Sequence, residues 1–349
     1  MYFPATRSLI SLIFIFISAK FYTSADNVDF KVEPLCPDAD AIAPACKCTK
    51  DNVTLALDMD CTGTNSTFLL KHAFQADFPT KAMNKIHMYG SVITTLEHGT
   101  FHDVSFKIFD IRFGDLETVE EGVLDGSKDT AEIIDFSSNH ISSFPFESLS
   151  KFTALKVLYF NSNELSSMPV IVNPTLEKLN LAYNPMKEAN IDAFRGLPRL
   201  NHLGLYNAQL EDFAPGMFID NPQLNHVNLQ GNKLTHLPRD MFRGSNKWSS
   251  IPLQGNMIER VEQGAIPEIL HLVVYFLSNK LTVLEEAVWR PLFNEGVTII
   301  DMDYNLLACG CDVAWIVREK PLLWMMPKAR CDSGMLIEDL NPEDFVHCE

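Results

Sequence analysis

Along most of the chain the apolar positions fall into one frame that keeps returning. In "LKVLYFNSNELSSMP", residues 155–169, apolar side chains stand at Leu155, Leu158, Phe160 and Leu165, with Asn163 between the last two. The same spacing recurs around Asn139, Asn184, Ala208, Asn232, Asn256, Asn279 and Asn305, and it extends back to Gly114 and Ser91. From Asn139 onward most steps between anchors are 24 residues. Within each unit the alternation of "VLYF" predicts a short strand whose inward side chains stack on their equivalents in the next unit. The units therefore form a stack of coils rather than a globule with one central core.

Ten units in the register L-x-x-L-x-L-x-x-N-x-L resemble the leucine-rich repeat. The resemblance implies an α/β solenoid, a horseshoe with a parallel sheet on its concave side. It also implies that each asparagine turns the chain into the core, its amide pairing with backbone groups the turn leaves open. The anchors Ser91, Gly114 and Ala208 depart from the pattern, and Ala208 has no side-chain hydrogen bond to offer, so a weaker or water-filled turn is expected there. Phe101, Phe194, Phe218 and Phe242, at matching positions on the far side of their coils, resemble the phenylalanine spine of the longer repeats.

A stack of coils leaves an apolar face open at each end and needs caps. The eight cysteines supply them: Cys36, Cys46, Cys48 and Cys61 precede the repeats, Cys309, Cys311, Cys331 and Cys348 follow them, and none lies between. An even cysteine count in an exported chain favours disulfides over zinc, although sequence alone leaves the connectivity open. "CPDADAIAPACKCTKDNVTLALDMDC" resembles the amino-terminal cap of extracellular leucine-rich-repeat proteins, and "CGCDVAWIVREK" with Cys331 and Cys348 resembles the carboxy-terminal cap, including its buried tryptophan, here Trp315. That resemblance implies the pairs Cys36 with Cys48, Cys46 with Cys61, Cys309 with Cys331 and Cys311 with Cys348. "NLLACGCDVAWIV" and "CDSGMLIEDLNPEDFVHC" are similar to the family of the non-catalytic subunit of Oplophorus-luciferin 2-monooxygenase and its arthropod relatives.

The start of the chain reads as a secretory signal peptide: Arg7, an apolar run from Leu9 to Ile17, then small residues, with cleavage after Ala25 favoured over Ala19. The expected organisation is a leader at 1–25, an N-terminal cap at 26–68, repeats at 69–305 and a C-terminal cap at 306–349. No later apolar run approaches the ~20 residues of a membrane span, so a secreted protein with no membrane anchor is expected. Asn52 and Asn65 head glycosylation acceptor triplets in or beside the first cap.

Charge then narrows the partners. The net charge is −17, and loss of the leader would make the remainder more acidic still, which argues against nucleic acid. No compact catalytic, phosphate-binding or dinucleotide motif is present, so the expectation is a protein without enzymatic activity, cofactor or metal. Asp301 and Asp303 offer too few ligands for calcium, and His202 and His226, neighbours at about 5 Å, lack an evident third ligand.

The outward strand positions carry the candidate site. Tyr159, Asn161, His202, Tyr206, His226, Asn228, Gln230 and Tyr275 join rigid aromatic area to adaptable amides on a nearly neutral face, a mixture enriched at interfaces. They point to recognition of an extracellular protein, which the family resemblance would make a catalytic subunit. The competing expectation is a soluble pattern-recognition protein that grips glycans with the same groups. Two imidazoles so close resist double protonation, so binding through them is expected to weaken below about pH 6.

Overall fold

The computed structural model describes residues 35–294 and 299–348; the leader assigned to 1–25 lies outside them. Twelve strands form one continuous sheet. Strand Lys47–Lys50 pairs antiparallel with Leu57–Asp60, and from there each coil adds one strand in parallel, through Ala82–Tyr89 and onward to Ile299–Asp301. The register is that of the repeat: Leu158 pairs with Leu179, Leu179 with Leu203, and Leu203 with Val227. These inward residues are almost wholly buried. Most repeat strands are three residues long, because the chain must turn into the core as soon as the pattern of buried side chains ends.

The asparagines close that turn as a doubled ladder. The Asn163 amide donates to the carbonyl of Phe160, 3.1 Å away in its own coil, and to that of Phe136, 2.9 Å away one coil earlier. Its Oδ1 accepts from the Ile141 N–H at 2.9 Å. Asn184, Asn256 and Asn279 repeat the arrangement.

At Ala208 the expectation of a weak or water-filled turn is not met. Ala208 is fully buried, and Oδ1 of Asn232 accepts from both the Ala208 and Leu210 N–H groups, at 2.9 and 3.0 Å. The Leu205 carbonyl, which an asparagine at 208 would also serve, keeps the Asn232 amide at 2.8 Å. The next rung of the ladder does the missing work.

On the outer side Phe194, Phe218 and Phe242 stack face to face, with centroids 6.0 and 6.2 Å apart. Trp248 closes this segment edge-on and donates its indole N–H to the Phe242 carbonyl at 3.0 Å. Phe101 does not join that stack; it packs edge-on with Phe74 and Phe106 beneath the N-terminal cap. Two further buried asparagines, Asn173 and Asn221, donate to outer carbonyls of the preceding coil.

Both ends are sealed. The disulfides are Cys36–Cys48, Cys46–Cys61, Cys309–Cys331 and Cys311–Cys348, the pairs that the cap resemblance implied. Trp315 is buried against the last coils and donates to the Leu284 carbonyl at 3.0 Å. Arg318 ties the tail down through the carbonyls of Phe345 and Cys348. Among the described residues no helix is long and apolar enough to cross a membrane.

Candidate functional site

The outward positions of the sheet line up as columns because the strands pair without slippage. His87, Asp110, Asp135, Tyr159 and Asn180 follow one another across the sheet, then Gly204 and Asn228. In the neighbouring column Lys178, His202 and His226 are consecutive. Many central Asx side chains also cap their own strand: Oδ1 of Asp135, Asn180 and Asn228 accepts the N–H two residues on. Asn228 therefore spends its carbonyl on Gln230 and presents its amide outward.

Five of the eight candidate residues come together. His202 and His226 have ring centroids 5.8 Å apart, Asn228 adjoins His226 on the same strand, and Gln230 accepts from the Gln254 amide at 2.9 Å. Nδ1 of His226 hydrogen-bonds the Ser250 hydroxyl at 2.7 Å, and Nδ1 of His202 the Asn201 side chain at 2.5 Å. Burial lowers the pKa of both imidazoles; Lys178 adds to this at His202, and His202 adds to it at His226. Tyr206 meets Tyr183 edge-on at 5.2 Å.

Tyr183 was not among the sequence candidates, because it directly precedes an anchor and reads as a turn residue. Its φ is +54°, a left-handed conformation in which coils anchored at Asn232 and Asn256 place Gly231 and Gly255. Phe113 and Tyr304 hold the same conformation one residue before their own anchors and are exposed as well, so an aromatic at this turn recurs along the stack; what sets Tyr183 apart is its contact with Tyr206.

Tyr159 and Asn161 lie two coils toward the N-terminus from Tyr206, about 10 Å at the strand spacing, and Tyr275 lies two coils beyond His226. They flank the strip rather than join it. Asp301 and Asp303 are engaged separately: Oδ1 of Asp301 accepts the Asp303 N–H, and Asp303 approaches Arg330 at 3.8 Å. His347 lies near both sulfurs of Cys311–Cys348, but sulfurs bonded to each other offer no thiolate to a metal.

A charged knot occupies the N-terminal part of the same face. Asp110 is buried and receives Lys85 Nζ at 2.6 Å, the Tyr89 hydroxyl at 2.5 Å and Arg112 Nε at 2.5 Å, with His87 at 3.5 Å. Burial would raise its pKa, but the hydrogen bonds from Lys85, Tyr89 and Arg112 outweigh it and hold the carboxyl below its usual range. Burial likewise works against the Arg112 charge, and its bonds to Tyr89 and Asp110 hold the guanidinium more firmly protonated. Arg112 also sits over the Tyr89 ring, 5.2 Å from its centroid. The signal for this network was available as side chains sharing a cross-strand register, but each strand by itself reads only as mixed polar. The knot consumes its own charges, which leaves the strip from Tyr183 to Gln254 as the part of the face with groups to spare.

Comparison with known proteins agrees with this geometry. The family model for the leucine rich repeat matches residues 174–234 and 203–258. The non-catalytic subunit of Oplophorus-luciferin 2-monooxygenase from Oplophorus gracilirostris is 32% identical over 148 residues, a match that spans 39% of this chain and 40% of that protein. A chain of the octameric complex of latrophilin 3, Unc5D and FLRT2 superposes with a TM-score of 0.65 at 20% identity, covering 76% of this chain and 83% of its own length. The Toll–Spätzle complex from Drosophila gives 0.60 at 15% identity over 82% of this chain and 45% of the matched chain. The chain is a leucine-rich-repeat solenoid closed at both ends by disulfide caps, similar in sequence to that non-catalytic subunit.

Proposed function

We propose that the chain is a secreted, non-enzymatic binding protein that holds another extracellular protein against its concave face, as a recognition or stabilising scaffold subunit. The observation that carries this reading is the strip of His202, His226, Asn228 and Gln230 beside Tyr206 and Tyr183, in register and nearly uncharged on an acidic chain. Rigid aromatics supply contact area at small entropic cost, and side-chain amides adapt to the partner's backbone. Similarity to a subunit described as non-catalytic supports a partner that is itself a catalytic chain. Asn52 and Asn65 are exposed on the N-terminal cap, away from the strip, so glycans attached there would leave it open.

The test is capture from extracellular fluid of the source, comparing the native protein with the Tyr159→Ala/Tyr206→Ala double variant by mass spectrometry. A protein retained by the first and lost by the second supports the reading. Equal capture by both moves the site off this face. Retention of glycan alone supports the second reading, in which the same tyrosines and amides grip sugars.

The histidines add a pH signature. Both are held neutral at pH 7, so acidification adds charge to a strip fitted to a neutral one, and affinity is expected to fall below about pH 6. Folding stability follows the same sign, because a depressed imidazole protonates first in the unfolded chain. Binding is therefore compared at pH values where circular dichroism shows the fold intact, and a flat affinity across pH 7 to about 5.5 removes the imidazoles from the interface.

A further inference from the structure

Away from the sheet, a recess of about 720 Å³ opens between the 3₁₀ helix Phe146–Lys151 and residues 170–172. Its origin is a change of repeat length. Asn163 and Asn184 are 21 residues apart where the steps on either side are 24, and the shortened coil crosses the outer side as "PVIVNP", without a spine phenylalanine. Phe144, Phe146 and Leu165 are buried at the floor, while Val170 and Val172 are 45% and 50% exposed at one wall.

The backbone of that wall is an open strand edge. The Ile171 N–H donates to the Ala193 carbonyl at 3.2 Å and the Asn173 N–H to the Gly196 carbonyl at 3.0 Å, and Val172 bridges Gly196 in parallel. Successive peptide groups of an extended chain point to opposite sides. The N–H and C=O of Val172 consequently point away from Gly196 and into the recess. Across it, the 3₁₀ helix closes its backbone bonds on itself and offers no ladder. Neither Val170 nor Val172 has a backbone hydrogen-bond donor or acceptor opposite it on that side. An edge of this kind is a template for a further strand, and Pro169 and Pro174 confine it to a short one.

Charge indicates what the added strand carries. Glu147 is the one charged side chain lining the recess, it is exposed, and it forms no ion pair. A carboxylate at the rim of a chain of net charge −17 favours a basic neighbour.

We propose that this recess binds an extended, basic-flanked segment of a partner protein by strand addition to residues 170–172. An apolar side chain of the segment rests on Phe144, Phe146 and Leu165, and a lysine or arginine reaches Glu147. Main-chain bonds supply affinity and the floor supplies selectivity, as in other strand-addition sites. The site is separate from the concave strip, and the two are lost by different substitutions.

The probe is an array of acetylated, amidated nonapeptides that alternate apolar and hydroxyl residues, flanked by lysine or by glutamate. The expected result is binding of lysine-flanked members, with slowed hydrogen exchange at the Val172 amide. Val172→Pro, which removes that N–H, should weaken binding at least tenfold at an unchanged melting temperature. Glu147→Lys, a surface change that leaves the backbone edge intact, should transfer preference to glutamate-flanked members, and it stands as the test if the proline variant fails to fold. The proposal is overturned if no member of the array binds, or if binding is indifferent to both substitutions.

Discussion

An asparagine inside an apolar frame stabilises this fold to the extent that its polar atoms have partners, and the partners are counted differently at different rungs: Oδ1 of Asn139 is buried with none, whereas Oδ1 of Asn163 has one and that of Asn232 two. In the coil of Asn163 every carbonyl has cover: Phe136 also receives Asn139, and Phe160 also receives Asn184. Asn163→Ala therefore orphans chiefly the Ile141 N–H. Asn232 has no such cover. Its loss would orphan the N–H groups of Ala208 and Leu210, and it would strip the Leu205 carbonyl of the amide that serves it. A buried unpaired backbone group costs about 1–3 kcal/mol. Asn163→Ala is expected to cost about 2 kcal/mol and Asn232→Ala about 2 kcal/mol more, measured as unfolding free energies in urea. Equal losses would mean that Asn232 does not compensate for Ala208.

At the scale of the coil, spacing limits what fits between two stacked elements. Gly244 has φ +133°, and a Cβ there would lie 1.9 Å from the Phe218 carbonyl oxygen, backbone that cannot swing aside. Gly216 has φ +72° with open space around it. Gly244→Ala should force apart the coils that carry the Phe218–Phe242 stack and cost about 3 kcal/mol, against about 1 kcal/mol of backbone strain for Gly216→Ala. Thermal melts of the two variants give the comparison, and similar shifts would show that the outer stack yields. The same scale explains what was legible in the sequence. Inward leucines and anchors repeat because every coil solves the same turn, so strands, register and ladder could be read directly. The outer side varies in length from coil to coil: the spine segment Phe194–Phe242 lies where three consecutive steps are 24 residues, and the edge at residues 170–172 where one step is 21. The concave strip was legible as columns. The Asp110 knot and Tyr183 were not, because one depends on side chains of adjacent strands and the other on a turn position.

Over the whole molecule stability is nearly one-dimensional, since each coil contacts its neighbours and the ends are where opening begins. The cysteines are confined to those ends. The N-terminal pairs close loops with separations of 12 and 15 residues, the C-terminal pairs loops with separations of 22 and 37. Cross-links over longer loops restrict the unfolded chain more, and each bond contributes on the order of 3 kcal/mol. Reduction should therefore release the C-terminal end most. Under a reductant, hydrogen exchange is expected to accelerate by about a hundredfold or more in strands Val273–Tyr275 and Ile299–Asp301. Strand Ala82–Tyr89 should accelerate less, and Val157–Tyr159 and Lys178–Asn180 least. A uniform rise across all strands would instead identify one cooperative unit whose ends are no weaker than its middle. A graded rise means that the caps hold closed a stack whose central coils, the ones that carry the concave strip and the outer recess, persist through their own packing.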